Sequence, residues 1–153
     1  LHRPIRDELG SGSYSTLIHA AAVSDYRVDR IETESGAPIS GPTKIHSGDG
    51  LVLRLSPNPK ILENVRRYSK NPGLRVISFK LSTPSAEVGA NEAADLSGYD
   101  SDLIVHNSVS GIERGSDRHS GELYEKAPGG YQIRSRFRTK SELERSLVEA
   151  VRF

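Results

Sequence analysis

The chain has 153 residues, with 21 Lys and Arg against 20 Asp and Glu and a formal net charge of +1. That balance excludes the basic footprint of a nucleic-acid binder, and the absence of cysteine excludes disulfides, thiolate metal sites and a cysteine nucleophile. No apolar run suits a membrane span or a signal peptide, so a soluble cytoplasmic domain with one core, covering residues 1–153, is expected. Methionine is absent and the first residue is Leu1, from which a fragment or a processed chain is expected.

In chain order, Leu1 to Ser15 carries little pattern, and Gly10-Ser11-Gly12-Ser13 reads as a flexible linker. It is not a phosphate loop, because the glycines precede the next strand instead of following one, and no Lys-Ser/Thr accompanies them. Leu17 to Val23 reads as a buried strand that stops at Ser24 and Asp25. In open α/β sheets ligands lie beyond the carboxyl ends of the strands. Ser24-Asp25 is therefore either a ligand contact or a turn cap, and Ala20 to Ala22 leave room for a close neighbour. Tyr26 to Glu34 is charged and only weakly alternating. Residues 35–42 form a turn-rich surface loop that delivers Lys44, a residue able to fold over a ligand or simply to stay solvated. Leu51, Leu53 and Leu55 alternate with Val52 and Arg54 as a short strand ended by Pro57.

Asn58-Pro59 is a start signal for a helix, with Ile61, Leu62, Val65 and Tyr68 at helical spacing up to Asn71-Pro72-Gly73. Leu74 to Leu81 is nearly continuously apolar, as suits a parallel strand covered on both faces. A second helix is expected over Ala86 to Leu96, then a strand over Asp102 to Asn107 ending in His106 and Asn107. Glu122 to Lys126 and Tyr131 to Arg138 flank Ala127-Pro128-Gly129-Gly130, a hairpin signature. Thr139 or Ser141 then caps a last helix with Leu143, Leu147 and Val151 on its apolar face. The order predicts an α/β fold: a three-layer, Rossmann-like, mainly parallel sheet with helices on both faces and a C-terminal β-hairpin.

Chemistry-bearing patterns are few. The five histidines have no metal-ligand spacing, and His19, inside an apolar strand, reads as a satisfied core residue. No Gly-x-Ser-x-Gly elbow or dinucleotide fingerprint occurs. The polar residues at strand ends remain: Asp25, Phe79-Lys80 and His106-Asn107, with Lys44 on its loop. Lysines can neutralise phosphates, an asparagine can read amides or hydroxyls, and Asp25 can take a ribose hydroxyl. The set fits an anion or nucleotide site, or a row of strand caps.

Five blocks in one order go further. Ala20-Ala21-Ala22-Val23-Ser24-Asp25-Tyr26, Lys44-Ile45, Asn58-Pro59-Lys60-Ile61-Leu62, Val76 to Thr83 and Asp102 to Asn107 together resemble the phosphopantothenate–cysteine ligases, from about Ser15 to the C-terminus. Ile77-Ser78-Phe79-Lys80-Leu81 is similar to the stand-alone, eukaryotic-type members. The resemblance implies an amide-forming ligase of coenzyme A biosynthesis. CTP or ATP, with Mg2+ on the triphosphate, would activate 4′-phosphopantothenate as an acyl-nucleotide, and the amine of cysteine would then attack. Carried over, Ala21 and Ala22 would line the phosphopantothenate pocket and Asp25 would contact the nucleotide. Phe79 would pack beside the base, Lys80 would supply charge, Asn107 would face the site, and Lys44 would be the flap lysine of amide formation. A homodimer is implied, with no side-chain metal site. The family's Gly-rich opening and its Asn-x-Ser-Ser-Gly segment have no counterpart here, nor does a lysine pair between Ala94 and Ser101. The expected domain is therefore a ligase lacking its N-terminal Gly-rich segment. A non-catalytic nucleotide- or phosphopantothenate-binding module and a plain α/β scaffold are the other two readings.

Overall fold

Alternating apolar residues on two central strands organise the molecule. The computed structural model describes residues 1–41, 44–82, 96, 98–113 and 115–151. In chain order the elements are α1 (His2–Ser11), β1 (Thr16–His19), β2 (Tyr26–Thr33), β3 (Pro38–Ile39), β4 (Leu51–Pro57), α2 (Val65–Tyr68), β5 (Arg75–Ser82), β6 (Leu103–Ile112), β7 (Arg118–Ala127), β8 (Gly130–Thr139) and α3 (Lys140–Val151). They form a five-stranded sheet, β1-β5-β6-β7-β8, and a three-stranded sheet, β3-β2-β4. The chain divides into two compact units, one of residues Leu1–His2 and Ala22–Lys60, the other of Arg3–Ala21 and Ile61–Phe153.

In the larger unit, β1, β5 and β6 are parallel, while β7 and β8 add antiparallel pairings. Strand residues alternate between faces, so successive residues on β5 enter different cores. Ile77 joins Leu103, Val105, Leu123, Phe137, Leu143 and Ala150, closed by α3. Val76 joins Leu9, Ile61, Val65 and Leu74, closed by α1 and α2. Ile104 and Tyr124 pack with Leu96. The fold is α/β and Rossmann-like, with helices on both faces of the sheet. Asp102 fastens the amino ends of β5 and β6: its Oδ2 accepts the Val76 amide at 2.6 Å and an Arg66 guanidinium N–H at 2.9 Å.

The C-terminal third follows its pattern closely. Gly129 and Gly130, at φ 88° and 146°, make the turn of the β7–β8 hairpin, a conformation that side chains disfavour. Thr139 Oγ1 accepts the Glu142 amide at 3.1 Å, a cap worth about 1 kcal/mol. The Tyr131 hydroxyl is half-buried. It accepts the Ser101 amide at 3.2 Å and lies 2.7 Å from the Tyr99 carbonyl and 2.8 Å from that of Ser101. Burial is the main reason that this phenol holds its proton above the ordinary tyrosine value of 10.0. A group raised on folding stabilises fully below its unfolded pKa and loses that contribution as pH climbs through the folded one. The melting temperature is thus expected to fall as pH passes about 10. Tyr14, raised by its hydrogen bond to Glu8, contributes in the same sense, so Tyr131→Phe should remove part of that slope. An unchanged alkaline slope in the variant, followed by circular dichroism, would refute the assignment.

Five expectations from the pattern are corrected. The strand read over Asp102–Asn107 with His106 and Asn107 at its end runs Leu103–Ile112, so both residues lie within it. The first residues are helical, because Ile5 and Leu9 are four apart and pack on the cluster around Val65. The strand read over Leu17–Val23 ends at His19 and lies at the sheet edge, so Ile18 is half-exposed and Ala20 to Val23 are exposed. Tyr26 to Thr33 is a strand: a register shift between Val28 and Arg30 breaks its alternation and hides it from a period-two reading. The helix expected from Asn58 begins only at Val65, and Asn58 instead donates its carboxamide to the Ser24 carbonyl and its main-chain amide to that of Asp25. The helix expected over Ala86–Leu96 falls almost wholly outside the described residues.

Candidate functional site

In the larger unit the parallel pairing of β5 with β6 stops at Ser82 and Ser108, four residues beyond the last pair of β1 with β5, and alternation sorts the residues there onto two faces. Leu81 pairs with Asn107, and Asn107 with Gly121. The Asn107 side chain is therefore on the face of Val105 and Phe137, and this residue is only 5% exposed. Its Nδ2 donates to the Ser120 carbonyl at 3.2 Å. Gly121 makes the room. A Cβ there would lie 2.3 Å from the His106 carbonyl oxygen, 2.6 Å from Phe137 Cζ and 2.7 Å from Asn107 Nδ2. Phe79, two residues before Leu81, shares this face and packs on the Ile77–Phe137 core.

Lys80 takes the opposite face. The register sets Lys80 beside His106, His106 beside Glu122 and Glu122 beside Arg136, a polar row running across four strands. Lys80 Nζ stands 6.0 Å from the centre of the Tyr99 ring, within cation–π range. His106 is 8% exposed and meets the Tyr124 ring edge-on, centroids 6.2 Å apart. Tyr124 donates to Glu122 Oε2 at 2.6 Å, and Arg136 to Oε1 at 2.9 Å. Burial raises the Glu122 pKa, but those two donors and the nearby His106 more than offset it, leaving the carboxyl below its ordinary range.

In the smaller unit, Asp25 and Lys60 form an ion pair. The hydrogen bond and charge of Lys60 lower the pKa of Asp25. The Asn58 amide donates to the Asp25 carbonyl at 2.7 Å, and its Nδ2 to the Ser24 carbonyl at 3.0 Å. The Ser24-Asp25 and Asn58-Lys60 blocks, 35 residues apart in sequence for the ion pair, are thus one clasp. Ala22 and Lys44 are exposed in this unit, while exposed Ala21 belongs to the larger one.

Of the residues singled out by sequence, Phe79 and Asn107 share one face, Lys80 lies on the other, and Asp25 stands with Lys60. Lys60, Ser82, Ser120 and Gly121 had not been singled out. Alternation along β5 could have separated Phe79 from Lys80, whereas Gly121 opposite Asn107 becomes visible only once the register is known. His19 is not satisfied as expected: its Nε2 is buried without a hydrogen-bond partner among the described residues. Among the described residues, no three His, Asp or Glu side chains gather as a metal site, and no helix is long and apolar enough to cross a membrane.

Residues 8–152 match the family described as DNA/pantothenate metabolism flavoprotein C-terminal domain. The "Coenzyme A biosynthesis bifunctional protein CoaBC" of Thermococcus kodakarensis is 36% identical over 107 residues, covering 69% of this chain and 24% of that protein. The protein of the same name from Methanocaldococcus jannaschii is 25% identical over 139 residues, covering 91% of this chain and 31% of its own. The chain thus spans a third or less of the length of these curated relatives. Among solved structures, the DNA/pantothenate metabolism flavoprotein from Streptococcus pneumoniae superposes with a TM-score of 0.73 at 28% identity, covering 98% of this chain and 67% of that one. The C-terminal domain of a CoaBC protein shares the fold at a TM-score of 0.50, with 22% identity over 90% of this chain and 55% of that one. With its family match running almost from end to end, the chain belongs to the DNA/pantothenate metabolism flavoprotein C-terminal domain family.

Proposed function

We propose that this chain is the amide-forming ligase part of a coenzyme A biosynthesis protein, joining 4′-phosphopantothenate to cysteine at the expense of CTP or ATP. The relatives named for coenzyme A biosynthesis support the pathway. The observation that carries the site is the Asn107 carboxamide, buried one residue before the parallel pairing of β6 with β5 stops and held by Ser120 across Gly121, on the side of the sheet where α/β folds bind ligands.

In the first step the substrate carboxylate attacks the α-phosphorus of the nucleotide and pyrophosphate leaves. In the second, the cysteine amine attacks the acyl carbon, the amide forms and the nucleoside monophosphate departs. Mg2+ enters with the triphosphate as part of that substrate. Ala21 and Ala22 offer backbone groups and no bulk to the acyl phosphate. Asp25, whose pKa the hydrogen bond and charge of Lys60 lower, takes a nucleotide hydroxyl. Phe79 is assigned to the base and Asn107 to the acyl group, both on one face of the sheet, while Lys80, on the opposite face, adds positive charge at a distance. Lys44 stabilises the phosphate oxygen that gains charge as the monophosphate leaves, an effect of oxyanion type.

A homodimer is part of the reading. Register places Tyr26, Val28, Ile31, Leu51, Leu53 and Leu55 on one face of the β3-β2-β4 sheet. All but Ile31 stand among the exposed large apolar side chains, Leu55 at 55%. The other face holds Glu32, buried between Arg30 and Arg54 at 2.6 and 3.0 Å, with Val52 as its exposed apolar neighbour across the pair. Such a patch marks an interaction surface, and a second copy of it is the partner proposed. We place the reaction in the cytoplasm.

The test is pyrophosphate release by the chain from CTP or ATP with Mg2+ and 4′-phosphopantothenate, with mass spectrometry separating acyl-nucleotide from amide after cysteine is added. Lys44→Gln should slow amide formation about 10²-fold and acyl-nucleotide formation much less. Equal losses in both steps would remove Lys44 from its role. Binding without turnover would favour a ligand-binding module, and calorimetry showing that neither ligand binds would overturn the proposal.

A further inference from the structure

The β6–β7 ladder is regular up to Asn107 opposite Gly121 and then slips before resuming at Ile112 opposite His119. The residue proposed to meet the acyl group therefore sits on the last regular pair, and β5 ends at Ser82 alongside. Toward β7 the regular pairing stops at Asn107, whereas toward β5 it runs one residue further, to Ser108 opposite Ser82. This leaves a place where a side-chain contact adds to the pairing with β5 in fixing the Asn107 backbone.

Ser82 and His106 fill that place. Ser82 Oγ lies 3.0 Å from His106 Nε2 and 3.4 Å from the Asn107 carbonyl oxygen. A hydroxyl has one hydrogen. If it is directed to the Asn107 carbonyl, the ring must donate from Nε2, so the two contacts form a relay from imidazole to hydroxyl to backbone. The imidazole is itself seated: it is buried, edge-on to Tyr124, and its residue's carbonyl lies against Gly121. Tyr124 is in turn fastened to Glu122.

We propose that His106 is a positioning residue, acting through Ser82 to hold β6 where its parallel pairing with β5 stops and so aim the Asn107 carboxamide. This rests on the reading of Asn107 as the acyl-group contact, but it concerns a pair of side chains to which that reading gives no role. His106 does not touch substrate, and its effect passes through the main chain.

The relay is tested on the 153-residue chain by nitrogen-15 NMR of the Asn107 side-chain carboxamide and by calorimetry with 4′-phosphopantothenate. His106→Ala and Ser82→Ala should each shift the carboxamide resonances, and the double variant should shift them no further. His106→Gln, whose terminal amide reaches a similar position, should restore them. In the binding arm, His106→Ala should weaken affinity up to about tenfold, the scale of one hydrogen bond, and should have no effect once Asn107 is alanine. Unshifted resonances, additive effects of the two substitutions, or failure of glutamine to rescue would each overturn the relay. Should His106→Ala not fold, Ser82→Ala and His106→Gln decide the matter. A parent chain that binds no 4′-phosphopantothenate would overturn the ligase reading, while the resonances still decide the relay.

Discussion

Phe137→Ala is expected to lower the free energy of unfolding by about 3–5 kcal/mol, measured by urea denaturation. Phe137 is 2% exposed and joins β5, β6, β7, β8 and α3 through the cluster of Ile77, Leu103, Val105, Leu123, Leu143 and Ala150. Its ring also stacks near-parallel on His119 at 6.2 Å, and its Cζ occupies the space above Gly121. Truncation removes transfer energy and leaves a cavity walled by strand backbones that cannot collapse into it. Against a typical total of about 5–15 kcal/mol, such a loss brings the unit close to unfolding at moderate temperature. Phe137→Leu, which keeps most of the volume, should cost much less. A loss under about 1 kcal/mol for alanine would mean that the cluster is not the centre of this sheet.

Gly121→Ala is the second large effect, and it acts in the opposite sense, by adding an atom. Of the three neighbours that the new methyl would meet, the nearest is the backbone carbonyl of His106 at 2.3 Å, which no rotamer change can move. The β6–β7 pairing has to open, at a cost of about 1–3 kcal/mol or more, and the Asn107–Ser120 hydrogen bond opens with it. Stability and ligand binding should therefore fall together, whereas Asn107→Ala should spare more of the stability. Combining the substitution with Phe137→Ala should give less than the sum of the two losses, because the vacated ring space relieves one of the three clashes. A Gly121→Ala variant as stable as the parent would contradict the close pairing at this point.

How much of this was legible depends on how each segment meets the core. Val76–Ser78 of β5 and Leu103–Asn107 of β6 are buried on both faces, and these strands read as nearly continuous apolar runs where they cross the core. The hairpin advertises itself through Pro128-Gly129-Gly130, and α3 through Leu143, Leu147 and Val151. α1 was obscured because only Ile5 and Leu9 carry its apolar stripe and its end runs into Gly10 and Gly12. β2 was obscured because the slip at Asp29 shifts its alternation by one, and because Arg30 and Glu32 belong to an ion-pair group that forms only when Arg54 arrives from β4. Among the candidate site residues, the polar strand ends were visible, but not the opposite faces taken by Lys80 and Asn107 or the clasp of Asp25 with Lys60, which joins two segments distant in sequence.

The division of the chain has a consequence for how it comes apart. All three apolar clusters found among the described residues lie in the larger unit, while the smaller relies on strand pairing and on ion pairs with largely exposed arginines and lysine. Exposed ion pairs contribute little each, so the smaller unit draws on the low end of the stability range. Its amides would exchange with solvent by local opening long before those of β5 and β6. A single unfolding temperature would then describe only the larger unit, and cooperativity would have to be read separately for each.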